Sequence, residues 1–358
     1  MNIRYPKPLA PGDLIAITAP SSGVAEPMHP RLELAIAALR DRGYRVVEGE
    51  CLRQQNKQAS ATRDRRAAEL MLFLTDPEVA AVMPPWGGEL AMELLPLIDF
   101  RALSDMPAKW FVGFSDLSTL HLPLTTISGW ATLHGPNLME LGATNLDEVT
   151  TGIWSVLTAP RDSDVLQQSS KRFQRKGPDR LANPNAGLNL TEDTRWKRLD
   201  GSTVPLQLTG RLIGGCLETV ARLAGTPFGD VPGFIKASAT DGTLLYIENV
   251  EMKPCELARA LWSLHLHGWF EGLNGILIGR NAAEDAQQAT DLSYFEALQS
   301  AFKGMPCPVL YDLDIGHLPP QLSLVNGALA QVRFLGASGS VSQRLNNGPQ
   351  GPFHGAQT

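Results

Sequence analysis

Short apolar runs alternate with amphipathic segments over the first third of the chain, and this alternation limits the possible folds more than any other feature. The run Asp13–Pro20 precedes a segment in which Leu32, Ile36 and Leu39 recur at helical spacing before Gly43. The pattern predicts strands at 13–20, 44–47, 79–83 and 109–113, and helices at 31–42, 62–74, 90–97 and 117–124. Strands that alternate with helices favour a parallel sheet with helices on both faces.

A second set of strands and helices follows in the C-terminal half of the chain. Strands are predicted at 243–248, 275–279 and 308–312, with helices at 216–224 and 255–266. A chain of 358 residues exceeds the usual size of one domain, which is roughly 100–200 residues. We therefore predict an α/β protein with an N-terminal Rossmann-like parallel-sheet domain at 1–160. A smaller C-terminal α/β domain with a β-rich core is expected at 207–342, and a disordered tail at 343–358.

The segment 161–206 between the two predicted domains has no clear periodicity. It is rich in Gln, Asn, Pro, Gly and charged residues, with isolated aromatic residues at Phe173 and Trp196. A structureless stretch of this length is uncommon inside a compact domain. It is interpreted as an interdomain linker, with or without a lid; a plain linker would not need Trp196. The basic run Lys171–Lys176 is interpreted as a solvated loop.

Charge and composition exclude several functional classes. The net charge of −6 and the pI of about 5.7 argue against nucleic acid as the main partner, because phosphate binding needs clustered Lys and Arg. No window approaches the roughly 18 apolar residues of a membrane span, and no secretory signal is recognisable. The cysteines form no CxxC pair and are expected to be reduced thiols in a cytoplasmic protein, at positions Cys51, Cys216, Cys255 and Cys307.

The sharpest local feature is Gly113-Phe114-Ser115-Asp116, between a predicted strand and a predicted helix. A serine on such a turn exposes its hydroxyl at the sheet edge, and the helix N-terminus supplies N–H groups for an anionic intermediate. The pattern departs from G-x-S-x-G because Leu117 occupies the last glycine position. An ordinary helix N-cap is the alternative interpretation.

Two glycines follow another predicted strand, in Trp86-Gly87-Gly88. Glycine lets the backbone approach a ligand and present its N–H groups, as an oxyanion hole requires. A tight turn would have the same sequence. Because the carboxyl ends of parallel strands share one edge of a sheet, this loop and the Ser115 loop are expected to converge there.

A carboxylate and a histidine also lie at predicted strand ends. Glu248 ends an apolar strand, and His317 lies in the loop after the strand at 308–312. His121 and His134 compete with His317 for a catalytic role. His121 is six residues beyond Ser115 on the helix and is expected to point away, whereas His134 could line the site.

Taken together, these residues resemble the LD-carboxypeptidases, or murein tetrapeptide carboxypeptidases, a family that includes the microcin C immunity peptidase. The resemblance covers about residues 6 to 335. The matching stretches are Lys7–Asp13 with Ala19–Ser22, Trp86–Gly88, Gly113–Asp116, His134–Pro136, Gly210–Gly215, Gly225–Pro227, Tyr246–Val250 and Asp314–His317.

The resemblance implies a serine hydrolase with a Ser–His–Glu triad and no metal or other cofactor. Ser115 would be the nucleophile, His317 the general base and Glu248 the group that orients the histidine. The backbone N–H groups of Gly88 and Asp116 would hold the oxyanion. The resemblance also suggests a homodimer.

The implied substrate is a small peptide, and the expected reaction cleaves the L,D amide bond to the terminal D-Ala of murein tetrapeptides during cell-wall recycling. Substrate contacts are expected at Trp86 and Glu89, which depart from the family pattern beside the glycine pair, as does Asn249 after the strand glutamate. Trp196 resembles the immunity-peptidase branch and suggests an alternative, cleavage of peptidyl- or aminoacyl-nucleotide amides with a nucleobase stacked on the indole. A non-catalytic binding protein is the third possibility.

Overall fold

The computed structural model describes residues 2–160, 163–346 and 353, which form two β-sheets flanked by helices. Within these residues the strands are β1 (Leu14–Ile17), β2 (Arg45–Glu48), β3 (Val79–Val82), β4 (Trp110–Gly113), β5 (Thr132–His134), β6 (Asp164–Gln168), β7 (Arg172–Phe173), β8 (Glu192–Asp193), β9 (Lys197–Arg198), β10 (Leu206–Cys216), β11 (Thr243–Glu248), β12 (Gly275–Gly279), β13 (Val309–Leu313), β14 (Leu324–Asn326), β15 (Leu329–Phe334) and β16 (Gly339–Arg344).

The α-helices are α1 (His29–Asp41), α2 (Arg63–Thr75), α3 (Phe100–Leu103), α4 (Ser118–Thr126), α5 (Glu148–Thr151), α6 (Ile153–Leu157), α7 (Leu217–Leu223), α8 (Val231–Ala237), α9 (Pro254–Leu266) and α10 (Tyr294–Phe302). Short 3-10 helices cover Glu26–Met28, Ala91–Leu97, Ser115–Leu117 and Leu138–Gly142. The helix predicted at 90–97 is therefore a 3-10 helix; Pro96 lies inside it and has no N–H for an α-helical hydrogen bond. Among the described residues, no helix is long and apolar enough to cross a membrane.

The first sheet has the order β14-β5-β4-β3-β1-β2, and its first five strands in the chain run parallel. Its central strands are almost wholly apolar and buried, as a sheet covered on both faces requires. The carboxyl ends of β1, β3 and β4 meet at one edge. The predicted α/β fold with an N-terminal parallel sheet is confirmed.

The second sheet has the order β6-β16-β15-β10-β11-β12-β13-β9. Strands β10 to β13 run parallel in its centre, and antiparallel strands flank them. All six residues of β11 are buried, so this strand lies in the core and carries Glu248 at its carboxyl end. The loop after β13 carries His317.

Parts of the segment 161–206 belong to the second sheet, so the interpretation as a linker is incomplete. β6 pairs with β16 at one edge, β9 pairs with β13 at the other, and β7 pairs with β8. Alternate residues of β6 are buried, which a half-covered edge strand explains. The expected tail also begins too early, because β16 continues to Arg344. Residues 347–352 and 354–358 of that tail lie outside the described residues.

The two halves of the chain are joined by one strand of the C-terminal half that belongs to the first sheet. β14, from the C-terminal half, pairs antiparallel with β5 and completes the first sheet. Asn326 on β14 is fully buried; its Oδ1 accepts hydrogen bonds from Gly214 N (3.1 Å) and from the Tyr246 hydroxyl (2.9 Å). Its Nδ2 donates to Thr132 Oγ1 (3.2 Å). The sheet edges that carry the site residues are therefore held together.

Candidate active site

Ser115 lies on a strained turn between β4 and α4. Its φ is +65°, a left-handed conformation that is uncommon for a residue other than glycine. The preceding Phe114 N–H donates to Asn137 Oδ1 at 3.1 Å, which anchors the turn to the loop after β5. A strained turn of this kind exposes a serine hydroxyl above the edge of a sheet. The sharp turn expected from the sequence is present.

Ser115, His317 and Glu248 form one continuous hydrogen-bonded chain. His317 Nε2 lies 3.0 Å from Ser115 Oγ, and His317 Nδ1 lies 2.8 Å from Glu248 Oε2. Glu248 is completely buried, whereas the His317 side chain is 21% exposed. This geometry would let the imidazole accept the serine proton at Nε2 while the carboxylate holds the proton on Nδ1.

Charge and burial act in opposite directions on this pair. Burial lowers the pKa of His317, but the charge of Glu248 and its hydrogen bond outweigh burial, so the pKa lies above its ordinary value of 6.5. Burial alone would raise the pKa of Glu248, but the imidazole beside it keeps this pKa below its ordinary value. Glu248 therefore stays ionised and stabilises a protonated His317.

The two competing histidines lie in the core. Both side chains are buried, and none of their ring nitrogens has a hydrogen-bond partner among the described residues. Burial lowers the pKa of His134 to about 4 and that of His121 well below its ordinary value. The His134 ring packs against the rings of Phe114 and Tyr246. Both histidines are neutral packing residues, so His134 does not take the place of His317.

The glycine pair packs directly against the turn that carries Ser115. A Cβ atom added to Gly87 would lie 2.8 Å from Asp116 N and 2.8 Å from Ser115 Cβ, so a side chain at this position would press on the turn. The Asp116 carboxylate accepts hydrogen bonds from Ala91 N (2.8 Å) and from the Ser21 hydroxyl. It thereby ties the loop after β3 and the loop after β1 to the serine turn.

The N–H groups of Gly88 and Asp116 are available to a ligand. Neither donates a hydrogen bond to another of the described residues. Gly88 has a φ of +144°, and a Cβ atom there would overlap the Ser21 and Ser22 hydroxyls. Only glycine lets this backbone fit between the serines, which explains the second glycine of the pair.

A cavity of about 540 Å³ opens beside Ser115 and His317. Trp86 lines it, and its Nε1 donates to the carbonyl oxygens of Ser22 and Gly23, which fixes the indole as a wall. The other lining residues are Ser22, Gly23, Ala25, Gln55, Pro85, Gly87, Gly88, Phe114, Asn137, Met139, Glu140 and Arg180.

Glu89 lies outside this lining. Its side chain is exposed, and its pKa is raised by partial burial and by the charges of Glu251, Asp116 and Glu218. The expected substrate contact at Glu89 stays a prediction without support from the cavity.

Trp196 does not line the cavity, so the nucleobase-stacking hypothesis for it is wrong in this structure. The indole is 1% exposed in the core of the second sheet, and its Nε1 donates to Asp314 Oδ2 at 2.7 Å. The sequence position of an isolated aromatic residue cannot distinguish an exposed ring from one that a neighbouring sheet covers. The large indole instead fills a core position next to the loop that carries His317.

Arg280 is a positioning residue that the sequence analysis missed. It follows β12, forms a buried ion pair with Asp314, and donates to the carbonyl oxygens of Leu318 (2.8 Å) and Pro320 (3.1 Å). These contacts hold the loop on both sides of His317. The sequence could have indicated Arg280, because a charged residue directly after a buried parallel strand lies at the same sheet edge as the other site residues.

Arg180 is a second residue that the sequence analysis missed. It comes from the segment 161–206, yet it lines the cavity beside Ser115 and His317. The sequence around Arg180 has no periodicity that would have placed it there.

Among the residues that the structure describes, one group of side chains could hold a metal ion, and it overlaps the Ser115–His317–Glu248 chain. Cys216 Sγ, a Glu248 oxygen and a His317 nitrogen lie within 4.8 Å of one another. However, Glu248 and His317 are hydrogen-bonded to each other, and the Cys216 thiol donates to Glu218 Oε2 at 3.2 Å. Burial and the nearby carboxylates raise the pKa of Cys216 well above its ordinary value, so Cys216 is a neutral thiol here rather than the thiolate that nucleophilic catalysis requires.

Comparisons with known proteins agree over both halves of the chain. Residues 15–135 match the LD-carboxypeptidase N-terminal domain, and residues 209–332 match the LD-carboxypeptidase C-terminal domain. A Bacillus subtilis protein named "Probable murein peptide carboxypeptidase" is 27% identical over 350 residues, which cover 97% of each chain. The microcin C7 self-immunity protein MccF of Escherichia coli is 23% identical over 343 residues, covering 94% of this chain and 95% of the relative.

A solved structure of MccF in complex with aspartyl sulfamoyl adenosine has the same fold. It superposes with a TM-score of 0.80 at 22% identity, covering 95% of this chain and 98% of that one. The enzyme interpretation is confirmed over the non-catalytic alternative by the matches to both family domains. The chain therefore belongs to the LD-carboxypeptidase family, and it is a serine-type carboxypeptidase hydrolase.

Proposed function

We propose that this enzyme cleaves the L,D amide bond to the terminal D-Ala of murein tetrapeptides, with Ser115, His317 and Glu248 as its catalytic triad. The observation that carries the proposal is the unbroken hydrogen-bonded chain from Ser115 Oγ through the imidazole to a fully buried carboxylate, beside an open cavity. The similarity to a relative named for murein peptide cleavage supports the substrate.

The reaction is acyl transfer in two steps. Ser115 Oγ attacks the scissile carbonyl carbon while His317 Nε2 accepts the serine proton, and the N–H groups of Gly88 and Asp116 stabilise the oxyanion. His317 then gives the proton to the leaving amine, and D-Ala departs from the acyl-enzyme. Water, deprotonated by the same imidazole, attacks the ester and releases the shortened peptide with the serine regenerated.

Replacing Ser115 with alanine tests the mechanism. We expect S115A to lose D-Ala release from a disaccharide-free murein tetrapeptide by roughly 10³-fold or more, because no other group can form the acyl-enzyme. Release is measured by mass spectrometry, together with labelling of the serine by a fluorophosphonate probe. The exposed Ser104 provides a matched control, since S104A should keep both activities. A folded S115A protein with normal release would overturn the triad.

Amide hydrolysis of peptidyl or aminoacyl nucleotides is a second candidate. The similarity to MccF over 94% of the chain favours it, and MccF has been solved with aspartyl sulfamoyl adenosine bound. Trp196 no longer supports this candidate, because its ring is buried. Suppose the wild-type protein labels at Ser115, releases no D-Ala and hydrolyses aspartyl sulfamoyl adenosine. The murein peptide is then not the substrate, and an aminoacyl nucleotide takes its place. The expected homodimer and cytoplasmic location stay predictions.

A further inference from the structure

A carboxypeptidase differs from an endopeptidase in requiring a free carboxylate on the residue that leaves. A cavity that selects such a substrate needs a fixed positive charge close to the nucleophile. Among the described residues that line the cavity beside Ser115, Arg180 is the one lysine or arginine. His317 cannot supply this charge, because it must be neutral to act as the base.

The Arg180 guanidinium is available for a ligand. Within the described part of the chain it makes no hydrogen bond or ion pair, and its Nε is buried without a partner. The carboxylate of Glu140, which also lines the cavity, is close enough for its charge to interact with that of Arg180. Burial raises the pKa of Glu140 and the charge of Arg180 opposes that rise, but no ion pair joins the two side chains. An arginine with free N–H groups can bind a carboxylate through two parallel hydrogen bonds.

The segment around Arg180 is anchored at several points. Gln174 N donates to Pro319 O at 2.7 Å, so the segment is tied to the loop that carries His317. Beyond Arg180, the buried Arg31 donates from Nη1 to the carbonyl oxygens of Pro184 (2.7 Å) and Ala186 (3.1 Å). Arg31 therefore has structural partners, whereas Arg180 presents its charge to the cavity.

We propose that Arg180 binds the terminal carboxylate of the leaving amino acid and thereby restricts this enzyme to carboxypeptidase activity. The inference rests on the proposed function of the Ser115 site. It assigns a role to the segment 161–206, which supplies a specificity residue to a site built by the two sheets. The residue binds substrate and takes no part in proton transfer.

A pair of substrates separates this role from a structural one. The murein tetrapeptide with a free carboxylate is compared with the same peptide as a C-terminal carboxamide, using wild type, R180Q, R180K and the matched control R175Q. Arg175 belongs to the same segment, is exposed and does not line the cavity. The measurement is kcat/KM for release of D-Ala or D-alaninamide by mass spectrometry.

We expect the wild type and R175Q to prefer the carboxylate, and R180Q to lose roughly 10- to 100-fold on the carboxylate substrate with the carboxamide rate unchanged. R180K should recover part of the preference, since it keeps the charge but not the bidentate geometry. Equal losses on both substrates would indicate a structural role and overturn the inference. An unchanged preference in R180Q would overturn it as well.

A second measurement separates failure of this inference from failure of the proposed function. If the wild type cleaves neither tetrapeptide but still labels with the fluorophosphonate probe, the murein substrate is wrong. Protection of Ser115 from the probe is then compared for D-alanine and D-alaninamide. Stronger protection by D-alanine that disappears in R180Q supports the carboxylate site. Equal protection by both, or none by either, overturns it.

Discussion

At the scale of single residues, the site depends on a few conformations and charges that neighbouring side chains maintain. Ser115 is held at φ +65°, and Glu248 remains ionised although it is completely buried. The charge of Glu248 raises the pKa of His317 against the effect of burial. In the proposed mechanism the base must be neutral to accept a proton, so the same carboxylate that stabilises the imidazolium would also set the lower pH limit of activity.

Replacing Glu248 with glutamine should change the pH profile in a defined direction. Removal of the negative charge leaves burial as the main influence on His317, so its pKa falls and the acidic limb of kcat/KM moves to lower pH. The maximal rate should fall by roughly 10³- to 10⁴-fold, because the imidazole loses its orienting partner. Rates measured across the acidic range test both effects. An acidic limb at the wild-type position would show that His317 does not control it.

At the scale of the element, the loop after β13 is held from three sides. Arg280 pairs with the Asp314 carboxylate before His317 and donates to the carbonyl oxygens of Leu318 and Pro320 after it. Asp314 also accepts a hydrogen bond from Trp196, and Gly316 lets the loop approach β11 closely. A Cβ atom on Gly316, which has a φ of +89°, would overlap the Glu248 carboxylate. The position of His317 is thus a property of the loop and its partners rather than of the histidine alone.

The variant G316A should displace this loop and lower kcat by roughly 10²-fold, since displacement of about 1 Å can cost that much. Gly201 provides a matched control, because its φ of +74° imposes similar backbone strain but a Cβ atom there meets nothing within 4 Å. Thermal unfolding should show a loss of stability in both variants, larger in G316A because of its additional overlap with Glu248, whereas only G316A should lose activity. Equal activity in the two variants would contradict the close approach of the loop to Glu248.

At the scale of the whole molecule, the two sheets form one structure because β14 leaves the second half and completes the first sheet. Ser115 comes from the first half, and Glu248 and His317 come from the second, so the hydrogen-bonded chain of the proposed triad forms only while the halves are joined. Asn326 makes this junction with hydrogen bonds to β5, β10 and β11 through Thr132, Gly214 and Tyr246.

The variant N326A should lower the free energy of unfolding by about 3 kcal/mol, because it leaves several buried polar groups without partners. Urea denaturation of the full chain measures this loss, and the exposed Asn189 provides a control variant, N189A, that should change stability little. A wild-type denaturation midpoint for N326A would show that β14 is held mainly by its backbone pairing.

The sequence by itself determined the α/β class, the alternation of the N-terminal elements and the family, because apolar periodicity and short motifs are local properties of the chain. The same local patterns identified Ser115, Glu248 and His317 as candidates. Only the tertiary structure decided that Trp196 is buried, that parts of 161–206 are edge strands, and that Arg180 reaches the cavity. These three placements depend on which surfaces, distant in sequence, pack together. No local pattern around Trp196 or Arg180 encodes that packing.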